Sequence, residues 1–164
     1  MYYHVQTHQD IPLEEAAHFR NTVHKTLNDP RSWGIPFYDV PLELLLQFPK
    51  EQGFIIRLTP APELNQKYSE FKERQLSVAN MNQRVIDINR CRWTEDCPNQ
   101  SQLPLEKYRQ YVIQHEVGHM MGKLHPDVDN LPVQKAAPIM MQQTLGISQY
   151  EPNPWPTEFD KKVL

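Results

Sequence analysis

The chain has 164 residues and a formal net charge of −3, and Leu, Ile, Val and Phe fill 40 positions, about a quarter. That suffices for one modest core, argues against disorder, and predicts a single domain over 1–164. Without a basic block there is no electrostatic footprint for nucleic acid or an anionic membrane, and no apolar run nears the roughly 18 residues of a membrane-spanning helix.

The opening MYYHVQTHQD lacks the basic and apolar stretches of a secretory signal, so none is expected here. Tyr3, Val5 and Thr7 alternate with polar residues and predict a short strand. Pro12 opens a helix over 12–28, with Ala16, Phe19, Val23 and Leu27 at helical spacing. Asn28-Asp29-Pro30 stops it, and DPRSWGIPFYDVP reads as a long, turn-rich loop. Phe54 to Leu58 predicts a buried strand closed by Pro60 and Pro62, whereas 68–78 fits helix and strand equally. Val85 to Ile88 reads as a further strand, and a second helix runs from Pro104 to about Gly122. Proline-broken loops follow, ending in EPNPWP and a charged tail.

The chemistry concentrates in HEVGHMMGKLH, residues 115–125. On a helix, residues four apart differ by about 40° in direction and about 6 Å in rise. His115 and His119 can therefore meet at one metal ion. Glu116 lies one step round, beside the metal, where a base for an attacking water belongs. Were the helix to continue, His125 would point about 120° away from His119 and lie about 9 Å further along. It reaches the same ion only if the chain turns after His119, and Gly122 stands where a left-handed turn is needed. Gly118 costs the helix about 1 kcal/mol relative to Ala, which predicts a neighbouring backbone packed against it. Three protein ligands leave one tetrahedral position open, as catalytic zinc sites do, so one Zn2+ per chain is expected.

This signature, with APIMMQQT at 137–144, resembles the metzincins, zinc metalloproteases with a methionine-containing turn beneath the metal. At a finer level the chain resembles a metzincin-like bacterial domain family of unknown function, often secreted or membrane-anchored. That likeness runs through NTVHKTLNDPRSWG, VIDINRCRW, YRQYVIQHEVGHMMGKLH, APIMMQQT and PNPWP. It implies an α+β zincin-like fold: a twisted mixed sheet, two main helices and a small irregular C-terminal part. It also implies hydrolysis of a peptide or protein substrate, with zinc on His115, His119 and His125, Glu116 as general base, and Met140 (with Met141 next) in the turn. Metzincin substrates lie along a cleft-edge strand, expected here near Arg84–Asn89. A secreted or cell-envelope setting follows from the same likeness. Gln142 departs from it, standing where some metzincins place a Tyr near the metal, and no latency ligand is visible. The rival reading is a binding domain of the same fold that keeps zinc but has no turnover.

Lesser signals stay open. Cys91 and Cys97 fit a small disulfide loop, worth roughly 2–2.5 kcal/mol in the chain-entropy model, or free packed thiols, or a metal-blocking cysteine. Asp127 and Asp129 either orient the third ligand or solvate a loop. His4, His8, His18 and His24 match no ligand spacing and read as surface or packing residues.

Overall fold

Alternation at the start of the chain becomes strand β1 (Tyr2–Thr7) in the computed structural model, which describes residues 1–147 and 149–162. Helix α1 (Leu13–Leu27) follows Pro12, whose fixed φ suits a helix start. Glu14 and Glu15 in its first turn, and His24 and Lys25 in its last, complement the helix dipole. The predicted long loop holds a two-residue strand, β2 (Tyr38–Asp39), and the short helix α2 (Leu42–Leu45) comes next. Strand β3 (Gly53–Thr59) is fully formed. Pro60 and Pro62 do close it, but they also open helix α3 (Ala61–Lys67), because proline is tolerated in a first helical turn. The ambiguous 68–78 stretch becomes a 3-10 turn at Ser69–Phe71 and tight turns, before strand β4 (Val78–Asn80). Strand β5 (Val85–Asn89), helix α4 (Arg90–Trp93), helix α5 (Leu105–Met120) and helix α6 (Glu158–Lys162) complete the elements.

The protein is α+β, with a five-stranded mixed sheet in the order β2-β1-β3-β5-β4. All neighbours are parallel except β4, which runs antiparallel to β5. Register sets Tyr3 beside Phe54, Val5 beside Ile56, Ile56 beside Ile86, and Leu58 beside Ile88. This apolar face joins Phe19, Val23 and Leu27 of α1 and Tyr108, Val112 and Val117 of α5 in one core. Each fully buried aliphatic side chain there contributes about 1.5–3 kcal/mol. The opposite face carries a polar cluster. Asp87, only 1% exposed, accepts from Arg57, Thr59, Lys67 and Tyr68, which ties α3 to the sheet.

One expectation needs correction here, and one of the open alternatives is decided. Arg84–Asn89 does not supply a free sheet edge, because β5 is hydrogen-bonded on one side to β3 and on the other to β4. The outer strand on that side is β4, three residues too short and too unpatterned to announce themselves. Cys91 and Cys97 are joined as a disulfide. Among the described residues, no helix is long and apolar enough to cross a membrane.

Candidate metal centre

Helix α5 enters the core after Pro104, and every residue from Tyr111 to Gly118 is buried. Side chains, not a backbone, explain Gly118. A Cβ there would lie 2.3 Å from the Met140 Sδ and 2.8 Å from Trp33 Cζ2. Both distances are below contact, so the expectation of close packing holds with different neighbours. Met140 itself is buried, with its sulfur over this gap in α5.

The helix ends as the spacing of the histidines demands. Gly122 adopts φ +83°, its N–H donates to the His119 carbonyl, and the Lys123 N–H donates to the Gly118 carbonyl, both at 2.9 Å. That pair of bonds is a Schellman closure, which reverses the chain and brings His125 back. No atom lies within 4 Å of a Cβ placed on Gly122, so backbone conformation alone selects glycine. Gly122→Ala should therefore cost about 1–2 kcal/mol of stability, and Gly122→Val more, with metal affinity falling in the same order. Equal melting temperatures and metal affinities for the two variants would refute this account of the turn.

Convergence of the three imidazoles is tight. The His125 Nε2 lies 3.1 Å from the His115 Nε2 and 3.2 Å from the His119 Nε2. Tetrahedral zinc with bonds of about 2.0–2.1 Å sets its ligand nitrogens about 3.3 Å apart, so the spacing fits. Tautomers fit as well. The His115 Nδ1 donates to the Ile139 carbonyl and the His119 Nδ1 to the Lys123 carbonyl, each at 2.8 Å. A carbonyl only accepts, so each Nδ1 carries the proton and each Nε2 turns a lone pair inward. Two lone pairs and the His125 Nε2 thus face one point, which suits a cation. Burial lowers the pKa of all three rings, and for His115 the neighbouring His119 and His125 add to it. The neutral form that binds metal is thereby favoured, and the three residues lie close enough to hold a metal ion.

Glu116 lies beside the cluster, 4% exposed, and forms no hydrogen bond or ion pair among the described residues. Burial pushes its carboxyl up to about 8.

Several residues beneath the histidines escape sequence reading. The Tyr111 hydroxyl donates to the Met141 carbonyl and accepts from the Gln143 N–H, both at 2.9 Å. Its position four residues before His115 on one helix face was the available signal. Gln143 and Asn153 exchange bonds, Gln143 Nε2 to the Asn153 carbonyl and Asn153 N–H to the Gln143 Oε1. PNPWP is thus laced to the methionine turn. Asp160 accepts from the N–H groups of Ile139 and Met140, a contact across 20 residues that no local pattern reveals.

Other candidates fall elsewhere. The Asp127 carboxylate accepts from the Asp129 N–H and Asn130 Nδ2, capping a 3-10 turn and not the third histidine. His4 bonds the Val40 carbonyl, His8 lies between Asp10 and Glu63, His18 faces Glu106, and His24 meets the Tyr3 hydroxyl. None joins the cluster.

Comparison with known families places this chain in one. It belongs to the family described as "Protein of unknown function (DUF3152)", whose model matches residues 1–161. No curated protein and no solved structure matches it.

Proposed function

We propose that the protein is a zinc-dependent endopeptidase with a zincin-like, specifically metzincin-like, architecture. The observation that carries this reading is the convergence of the three histidine Nε2 atoms at a spacing close to that of tetrahedral ligands, with the carboxyl of Glu116 alongside. His115, His119 and His125 would hold the zinc, which when bound supplies Lewis acidity toward a water molecule and a scissile carbonyl. Only these three side chains form such a cluster among the described residues, which leaves a coordination position for reactants.

The chain's own residues do the rest. Glu116 takes a proton from the attacking water and returns it to the leaving amine. A cation held by the three histidines would favour the ionised Glu116 carboxylate that burial disfavours. Along the sheet, β4 has its outer backbone groups unpaired, and an extended peptide can add to them as a further strand. The Cys91–Cys97 disulfide supports work in an oxidising, secreted or cell-envelope setting.

The test is hydrolysis of an unbiased peptide library by zinc-loaded protein. Cleavage should occur, stop on chelation, and accompany one zinc per chain by elemental analysis. His119→Ala should lose most of that zinc and all of that cleavage. Full zinc in His119→Ala would break the ligand assignment. Zinc bound without any cleavage would favour a binding domain of the same fold.

A further inference from the structure

Asp160 is 2% exposed although it sits on a five-residue helix, α6, near the surface end of the chain. Part of its role is local. Its Oδ2 accepts from the Thr157 N–H at 2.8 Å and the Thr157 hydroxyl at 2.6 Å, while the Asp160 N–H approaches the Thr157 Oγ1 at 3.4 Å. That is a capping box, which needs no burial. The same carboxylate also reaches the methionine turn, where Oδ2 accepts from the Ile139 N–H at 2.9 Å and Oδ1 from the Met140 N–H at 3.2 Å.

The Met140 N–H and the Ile139 carbonyl belong to one peptide unit, and that carbonyl accepts the Nδ1 proton of His115 at 2.8 Å. A carboxylate on the N–H side of a peptide polarises its carbonyl, because hydrogen bonds in a chain strengthen one another. We propose that Asp160 is a positioning residue that acts on His115 through the Ile139–Met140 peptide, fixing its ring and strengthening its Nε2 as a ligand. The arrangement is a carboxylate–histidine pair with a peptide bond inserted between its members, and such partners tune metal affinity. The inference rests on the reading of the three histidines as a zinc site.

Two near-isosteric substitutions separate the relay from the cap. In Asp160→Asn the amide oxygen can keep the Oδ2 position and its three bonds, while the amide NH2 then faces the Met140 N–H and breaks the relay. Thr157→Val removes the hydroxyl from the capping box and leaves the relay intact. Zinc affinity, measured by chelator competition, should fall about 10–100-fold in Asp160→Asn and stay at the parent value in Thr157→Val. In cobalt-loaded protein the visible ligand-field bands should shift in the first variant alone. Parental zinc affinity in Asp160→Asn, or equal losses in both variants, would overturn the proposal. If Asp160→Asn does not fold, amide exchange in the parent decides. Zinc should slow exchange at Met140 more than at Thr157, and an equal response overturns the relay. A parent that binds no zinc overturns the metal-centre reading, and the relay with it.

Discussion

Replacing Glu116 with Gln should leave zinc in place and abolish most peptide hydrolysis. The side chain keeps its shape and length, and the three imidazoles that converge on the site are untouched. What disappears is the capacity to accept the water proton. Losing such an acid–base group typically slows a reaction by about 10²–10⁴-fold. In activation terms this is about 3–5 kcal/mol, expressed mainly in kcat because substrate contacts are unchanged. Fold stability should not fall, because the substitution breaks no ion pair or hydrogen bond among the described residues and a neutral amide is easier to bury than a charge. Steady-state kinetics and elemental analysis on the same preparation check all of this. Loss of zinc would make Glu116 a ligand, and unchanged turnover with full zinc would sink the mechanism.

The largest effect on stability is expected at Asp87, far from that chemistry. Its carboxylate meets Arg57 Nε at 3.0 Å, Lys67 Nζ and Thr59 Oγ1 at 2.9 Å, and the Tyr68 hydroxyl at 3.1 Å. Asp87→Ala would leave two cations and two buried hydroxyls without their acceptor. Breaking a buried pair from one side typically costs about 3–5 kcal/mol. The Arg57 and Lys67 side chains are 32% and 31% exposed and can turn toward water, so the expected loss is at the lower end, about 3 kcal/mol. The urea midpoint should drop by about 1 M or more.

Acid should erase the difference late. Burial pushes the Asp87 carboxyl up, but hydrogen bonds from Lys67 and Arg57, the Arg57 charge and the Thr59 bond outweigh it and hold the group below its ordinary 3.8. A depressed folded pKa means the stabilisation is complete above the unfolded value and is lost as pH falls through the folded one. The gap between parent and Asp87→Ala should therefore persist through pH 5 and narrow only below about pH 4. A gap already closed at pH 5 would contradict the cluster.

The imidazole cluster is legible in the sequence because every constraint on it is local. Helical geometry places His115 and His119, and a single glycine conformation places His125. Strands β1, β3 and β5 are legible for the same reason, since the alternation in β1 and the apolar runs in β3 and β5 are their own signal. What escapes is whatever depends on distant partners. β4 is three residues whose strand state comes from pairing with β5, and α3 hides behind prolines that read as terminators. Asp160, Tyr111 and the Gln143–Asn153 exchange act across 10 to 32 residues, and nothing in the intervening sequence encodes the meeting. The support of the site is therefore harder to read than the site.

The two ends of the sheet differ from its middle in one further way. β3 is seven residues long and β1 six, yet the outer strands β2 and β4 have two and three. Long, flat edges invite copies of a protein to join side by side and grow into aggregates, and short edge strands are one defence. Three residues of β4 hold too few backbone bonds to drive growth of that kind. An extended peptide added to that edge, as the proposed function requires, would need side-chain contacts beyond the strand itself.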